Sequence, residues 1–300
     1  MKRSVGMLGA AVFGPAVLAA GCQDQGFKEV EFDAIAVVYG DFDNMGDVLT
    51  AADIGATAYD GFIVQATYAP EDDRPRRGEM ELTVEGLLTD TSGDLDLAGY
   101  NAVFVNSGTR GLNAWQYNNR LEPDDALLLD AENLQKTCDF VQGGGTLVAG
   151  DWAYDLIEFC WPDAIEFYGD NTVVDAAQVG VADDEVLAEV VRDSLKEPLG
   201  SAVSLTYNYT AWSVITDVGA DTEVLLRGNI AYQPSETEPI DELQGAPLLV
   251  RFLAGGGQVV FSTFHLGAQA PSLSEALLLN VVEGLNPGDG SQSAEAASGS

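Results

Sequence analysis

Basic residues are scarce in this chain. Against 48 Asp and Glu stand 13 Lys and Arg, which gives a net charge of -35 over 300 residues. A surface of that sign repels phosphate backbones, so nucleic acid is excluded as a partner class, and cations or basic proteins are favoured. The one dense basic cluster, Arg74-Pro75-Arg76-Arg77, follows Glu71, Asp72 and Asp73 and reads as a solvated loop tip. Histidine is scarcer still, with His265 alone in the chain. Zinc sites draw on several His or Cys ligands, and this sequence has few of either. No internal repeat is present. What the chain does have is 46% hydrophobic residues with 33 Gly and 11 Pro, the composition of one large or two small globular domains.

The first 21 residues read as a targeting segment. Met1-Lys2-Arg3 is a short basic start, and Val5 to Ala20 is an apolar run with small residues near its end. Pro15 and the run's length argue against a membrane-spanning helix. Leu18-Ala19-Ala20-Gly21-Cys22 follows, and it resembles the lipobox of bacterial lipoproteins, where cleavage precedes the Cys and its thiol is lipidated. The resemblance implies a lipid anchor at Cys22, a cell-envelope location and, with Gln23 and Asp24 next, the outer membrane. Several acyl chains hold a protein stably at a bilayer, at about 0.8 kcal/mol per buried CH₂. Export leaves Cys138 and Cys160 in an oxidising compartment, where they either pair or stay as buried free thiols.

Residues 22–33 are then a polar tether, 34–286 the folded domain and 287–300 a disordered Gly/Ser/Ala tail. Short apolar runs at 34–39, 101–106 and 146–149 have the continuous hydrophobicity of buried parallel strands. Helices are expected from Val48, over 124–141, over 183–194 and over 271–285. Further strands are expected at 61–68, 79–88, 202–209, 222–228 and 247–252. Gly255-Gly256-Gly257 then turns the chain into a last strand over 258–264. Strands alternating with helices predict an α/β fold: a mostly parallel, flavodoxin-like sheet covered by helices on both faces, with an antiparallel hairpin near the C-terminus.

Open α/β sheets bind ligands at the carboxyl ends of their strands. Four predicted strands end in chemically capable loops. The first carries Asp41, Asp43, Asn44 and Asp47; the second Ser107 and Gly108; the third Asp151, Trp152 and Tyr154; the last His265. The alternating oxygens of Asp41, Asp43 and Asp47 are like a fragment of a calcium loop, without the twelfth-position Glu of an EF-hand. The alternative is an Asx-turn and helix cap in which Asn44 or Asp47 accepts backbone N–H groups. Trp152, Tyr154, Trp115 and Tyr117 either line a cleft or pack beneath loops.

The set resembles the class I glutamine amidotransferase-like fold over roughly residues 34–285. Gly143-Gly144-Gly145, a strand, a turn and a helix match the region of that family's nucleophile elbow. Phe264-His265 at a strand end is similar to the family's Phe-His-Pro-Glu, and Ser107-Gly108 sits where the family places oxyanion-hole glycines. The departures concern the chemistry. The turn reads Gly150-Asp151-Trp152-Ala153, with neither Cys nor Ser, and His265-Leu266-Gly267 lacks the Glu two places after the His. A triad needs nucleophile, base and orienter together, and only the base candidate is present. The reading is an envelope lipoprotein whose domain binds a small ligand, glycan or protein partner at the strand ends, through Ser107, Gly108, Asp151, Trp152 and His265, without catalysis. The alternative is a hydrolase using Asp151 and His265, with or without a calcium ion.

Overall fold

The continuous apolar runs form the middle of one sheet. The computed structural model describes residues 34–62, 80–89, 97–109, 128, 130–169, 176–181, 185–209, 211–235 and 237–283. The lipobox and tether, the Arg74–Arg77 cluster, Trp115, Tyr117 and the C-terminal tail lie outside them. Thirteen strands are described. They are β1 (Ile35–Val38), β2 (Thr57–Tyr59), β3 (Ala102–Val105), β4 (Thr146–Gly150), β5 (Ile165–Phe167), β6 (Gly180–Val181) and β7 (Glu185–Val190), followed by β8 (Ala202–Thr206), β9 (Ala211–Trp212), β10 (Ile215–Val218), β11 (Thr222–Tyr232), β12 (Asp241–Ala254) and β13 (Gly257–Ser262). Six helices accompany them: α1 (Met45–Ala51), α2 (Val84–Thr89), α3 (Ala131–Gln142), α4 (Tyr154–Cys160), α5 (Asp193–Leu199) and α6 (Pro271–Glu283).

Five strands run parallel in the order β2-β1-β3-β4-β13, and β12, β11 and their neighbours extend the sheet antiparallel to eleven strands. β5 and β10 form a separate pair. The parallel registers are level: Val38 lies beside Val105, Val105 beside Ala149, and Gly150 beside Ser262. The loops after β1, β3, β4 and β13 therefore emerge together. β1, β3 and β4 are buried at every residue, and each large apolar side chain removed from water there contributes about 1.5–3 kcal/mol. Alternate residues feed two cores. Ile35 and Val37 meet Leu49 of α1, Leu195 of α5 and Leu277 of α6, while Ala36 and Val38 meet Leu87 of α2, Val141 of α3 and Ile157 of α4. Helices thus cover both faces, as the alternation predicts.

Three differences from the sequence expectations have physical causes. The 183–194 helix is strand β7 over Glu185–Val190, whose side chains alternate exposed and buried, with a helix only from Asp193. The period of two decides against the helix-forming Leu and Ala within it. The 79–88 strand is instead helix α2, whose start is capped by the Thr83 hydroxyl accepting from Gly86 N at 3.2 Å. The strand expected at 247–252 is longer, β12 running from Asp241, because it keeps pairing with β11 out to Tyr232. Cys138 on α3 and Cys160 at the end of α4 form a disulfide, which settles the two readings of those thiols. Among the described residues no helix is long and apolar enough to cross a membrane.

Candidate functional site

Asp151 stands at the turn from β4 into α4. Its φ is +44°, one of two positive values among the described non-glycine residues. Such a backbone costs about 1–3 kcal/mol and persists only where surrounding contacts fix it. Those contacts are dense. Asp151 is 1% exposed; its Oδ1 accepts from Ser213 N at 2.7 Å, and its Oδ2 lies 3.0 Å from His265 Nε2 and 3.4 Å from the Ser107 hydroxyl that donates to it. Ser107 in turn accepts from Trp152 N at 3.4 Å. Strand ends that are level in register thus bring three of the sequence candidates, Ser107, Asp151 and His265, into one hydrogen-bonded group.

His265 is buried, and both of its ring nitrogens face oxygens: Nε2 faces Asp151 and Nδ1 faces Asn208 Oδ1 at 2.8 Å. A neutral ring has one donor, whereas an imidazolium has two and satisfies both contacts. Burial opposes that charge. The hydrogen bond and charge of Asp151, with the charge of Asp43, outweigh burial and hold the imidazole pKa above its ordinary 6.5. The arrangement thus favours the protonated ring beside the Asp151 carboxylate, with both ring nitrogens engaged.

The backbone at Gly108 is covered by an aromatic ring. Gly108 has φ +73°, and a Cβ there would come 2.5 Å from the ring of Phe42, so the ring lies directly on this glycine. Phe42 packs edge-on against Trp152 and Tyr209 at centroid distances of 5.0 and 5.1 Å, and Tyr209 packs against His265 at 4.8 Å. Trp152 Nε1 donates to Ala211 O at 3.3 Å. The aromatics at this edge cover the site. Tyr154 is a core residue, fully buried against Phe167 at 5.2 Å, with its hydroxyl accepting from Ala177 N at 3.0 Å. The cavity beside Asp151, Asn208, Trp212 and His265 is about 10 Å³, room for about one water.

The acidic loop after β1 has a structural use. Asn44 caps α1 by accepting from Asp47 N at 3.1 Å. Asp43 is buried and accepts from three backbone N–H groups, those of Asn44, Leu266 and Gly267, at 2.7, 3.2 and 2.9 Å. It clamps the β1 loop to the segment that carries His265. No group of three or more His, Cys, Asp or Glu is arranged to hold a metal ion among the described residues, so Asp41, Asp43 and Asp47 do not gather as ligands.

The partners that define this site, Asn208, Ser213, Phe42 and Tyr209, carry no sequence signal. Phe42 sits in the acidic loop but outside its oxygen pattern, the others belong to no motif, and Asn208 and Tyr209 stand on the loop after β8 that only the tertiary fold brings to His265.

No protein-family model and no curated protein matches the sequence. Solved structures share its chain course loosely. A putative ThuA-like protein from Bacteroides uniformis is 11% identical, with 87% of this chain and 94% of that one covered at a TM-score of 0.47. A putative GMP synthase protein from Thermoplasma acidophilum is 8% identical, covering 84% and 94% at a TM-score of 0.46. A β-galactosidase from Bacillus circulans sp. alkalophilus is 13% identical over 84% of this chain at a TM-score of 0.47, and the chain spans 31% of its length.

Proposed function

We propose that this chain is a membrane-anchored lipoprotein of the bacterial cell envelope whose amidotransferase-like domain is a non-catalytic binding module for a small ligand, glycan or protein partner. The observation that carries the non-catalytic reading is the closure of the strand-end group. Asp151 has both carboxylate oxygens engaged, His265 has both ring nitrogens engaged, and the space beside them holds about one water. A base must have a lone pair to offer, and an oxyanion needs donors it can reach. The Leu18–Cys22 lipobox supports lipidation and the outer membrane, and the Cys138–Cys160 disulfide fits an oxidising compartment. Two experiments test the reading. Membrane fractionation with acyl-chain mass spectrometry should find Cys22 lipidated and the Cys22→Ala chain released. Purified protein should release no ammonia from glutamine and turn over none of a panel of ester, amide and glycoside substrates.

A second reading, a hydrolase with Asp151 as nucleophile and His265 as its partner, is favoured by one observation: the positive φ of Asp151 at an elbow, 3.0 Å from the ring. Turnover that disappears in both Asp151→Asn and His265→Ala would establish it.

A further inference from the structure

Among the described residues an open cleft lies at the opposite end of the sheet from His265. It is about 590 Å³, within the range of ligand-binding clefts, and is built from three corners: residues 161–164 after α4, 219–221 before β11 and 253–255 where β12 ends and turns toward β13. The turns hold one another. Ala164 O accepts from Gly219 N at 2.9 Å and from the Thr222 hydroxyl at 2.7 Å, and Gln142 O accepts from Gly256 N at 2.9 Å. A Cβ on Gly219 would lie 2.3 Å from Asp163 O, so only glycine lets these turns approach so closely. The disulfide fixes Cys160 on the rim. The cleft is formed before any ligand arrives, which removes part of the ordering cost of binding.

Its chemistry is one-sided. Trp161 and Phe252, 5.6 Å apart and edge-to-face, supply an aromatic wall, and Leu253 stands 77% exposed beside them. Asp163 and Asp221 are exposed on two of the turns, no lysine or arginine lines the cleft, and neither carboxylate forms a salt bridge among the described residues. Two unneutralised carboxylates beside an indole and an aliphatic side chain match a flexible apolar stem that ends in a cation. We propose that this cleft is a binding site for a lysine- or arginine-bearing peptide segment, its stem on Trp161 and Leu253 and its charged ends at Asp163 and Asp221. The inference gives the binding role proposed above a site and a ligand chemistry, and to that extent rests on it. The membrane-anchored, non-catalytic reading is tested separately, by fractionation and turnover, and stands or falls without it.

The test is a titration of the full mature chain, in non-ionic detergent at physiological salt, with acetyl-trilysine amide. Calorimetry should show saturable one-to-one binding, and the same peptide acetylated on its side chains should not bind. Asp163→Asn and Asp221→Asn, both on exposed side chains that leave the fold intact, should each weaken binding about two- to fivefold, the size of an exposed ion pair. Glu197→Gln, an equal charge change on the exposed side of α5, should leave binding unchanged. Absence of saturable binding, equal binding of the acetylated peptide, or equal loss in Glu197→Gln would overturn the proposal, the last because it would reduce the effect to net charge.

Discussion

Removing the His265 ring should destabilise the fold far more than a surface change, because it strands a buried charge. In His265→Ala, Asp151 keeps Ser213 N and the longer contact to the Ser107 hydroxyl but loses the cation 3.0 Å from Oδ2, in a setting where the carboxylate is 1% exposed. Breaking one partner of a buried pair costs about 3–5 kcal/mol. For a domain of this size about 2–4 °C accompanies each kcal/mol, so the melting temperature should fall by about 6–20 °C. Asp151→Asn can still accept from Ser213 N and removes the charge altogether. The double variant should therefore be more stable than the sum of the two single losses, with a coupling of about 1–3 kcal/mol in a double-mutant cycle by chemical denaturation. The sign of the pH dependence is fixed as well. The folded pKa of His265 is raised, so its stabilising contribution is complete below the ordinary value of 6.5 and is lost as pH rises through the folded pKa. Wild-type stability should fall with pH above that value by more than that of His265→Gln. A loss below about 1 kcal/mol in His265→Ala, the size of an ordinary surface effect, would refute the buried-pair account.

Other consequences follow from single contacts. The Cys138–Cys160 disulfide spans 22 residues, for which loop-closure entropy gives about 3 kcal/mol, so reductant or Cys138→Ser should lower the denaturation midpoint accordingly. Asn44→Ala removes the cap of α1 and should cost about 1 kcal/mol by the same assay. Gly108→Ala sets a methyl against Phe42 at a positive φ; it should cost about 2 kcal/mol or more and raise the solvent exposure of Trp152, read by fluorescence quenching.

The parallel half of the sheet is legible in the sequence because strands buried on both faces must be largely apolar, as Ile35–Val38, Ala102–Val105 and the Leu147-Val148-Ala149 centre of β4 are. The convergence of Ser107, Asp151 and His265 is legible for a related reason: each ends a strand of the same sheet. Their state is not legible. Whether His265 is a free base or a bound cation is decided by contacts distant in sequence. Asn208 lies 57 residues from His265 and Ser213 lies 62 from Asp151, on segments that the sequence leaves as loops and short strands. Tyr209, which packs on His265, is as far from any motif, and Phe42, although inside the Asp41–Asp47 loop, is not marked by that loop's oxygen pattern. β7 reads as a helix because Leu187 and Ala188 favour helices, while the alternation of Glu185, Leu187 and Glu189 outward is a weak signal over six residues. The disulfide stays open in the sequence because helices on one face of a sheet can bring together, or keep apart, any two residues 22 positions apart.

The central claim is that the strand-end group is a closed imidazolium–carboxylate pair. The chain's single histidine makes a direct test available: the ¹⁵N and ¹³C shifts of its ring, followed against pH in protein prepared without a histidine tag, report one residue. The account predicts a ring that is doubly protonated below pH 6.5 and titrates with a midpoint above that value, with slow exchange of both ring protons. A neutral single tautomer at pH 7 that titrates at or below 6.5 would contradict it and return His265 to the role of an available base.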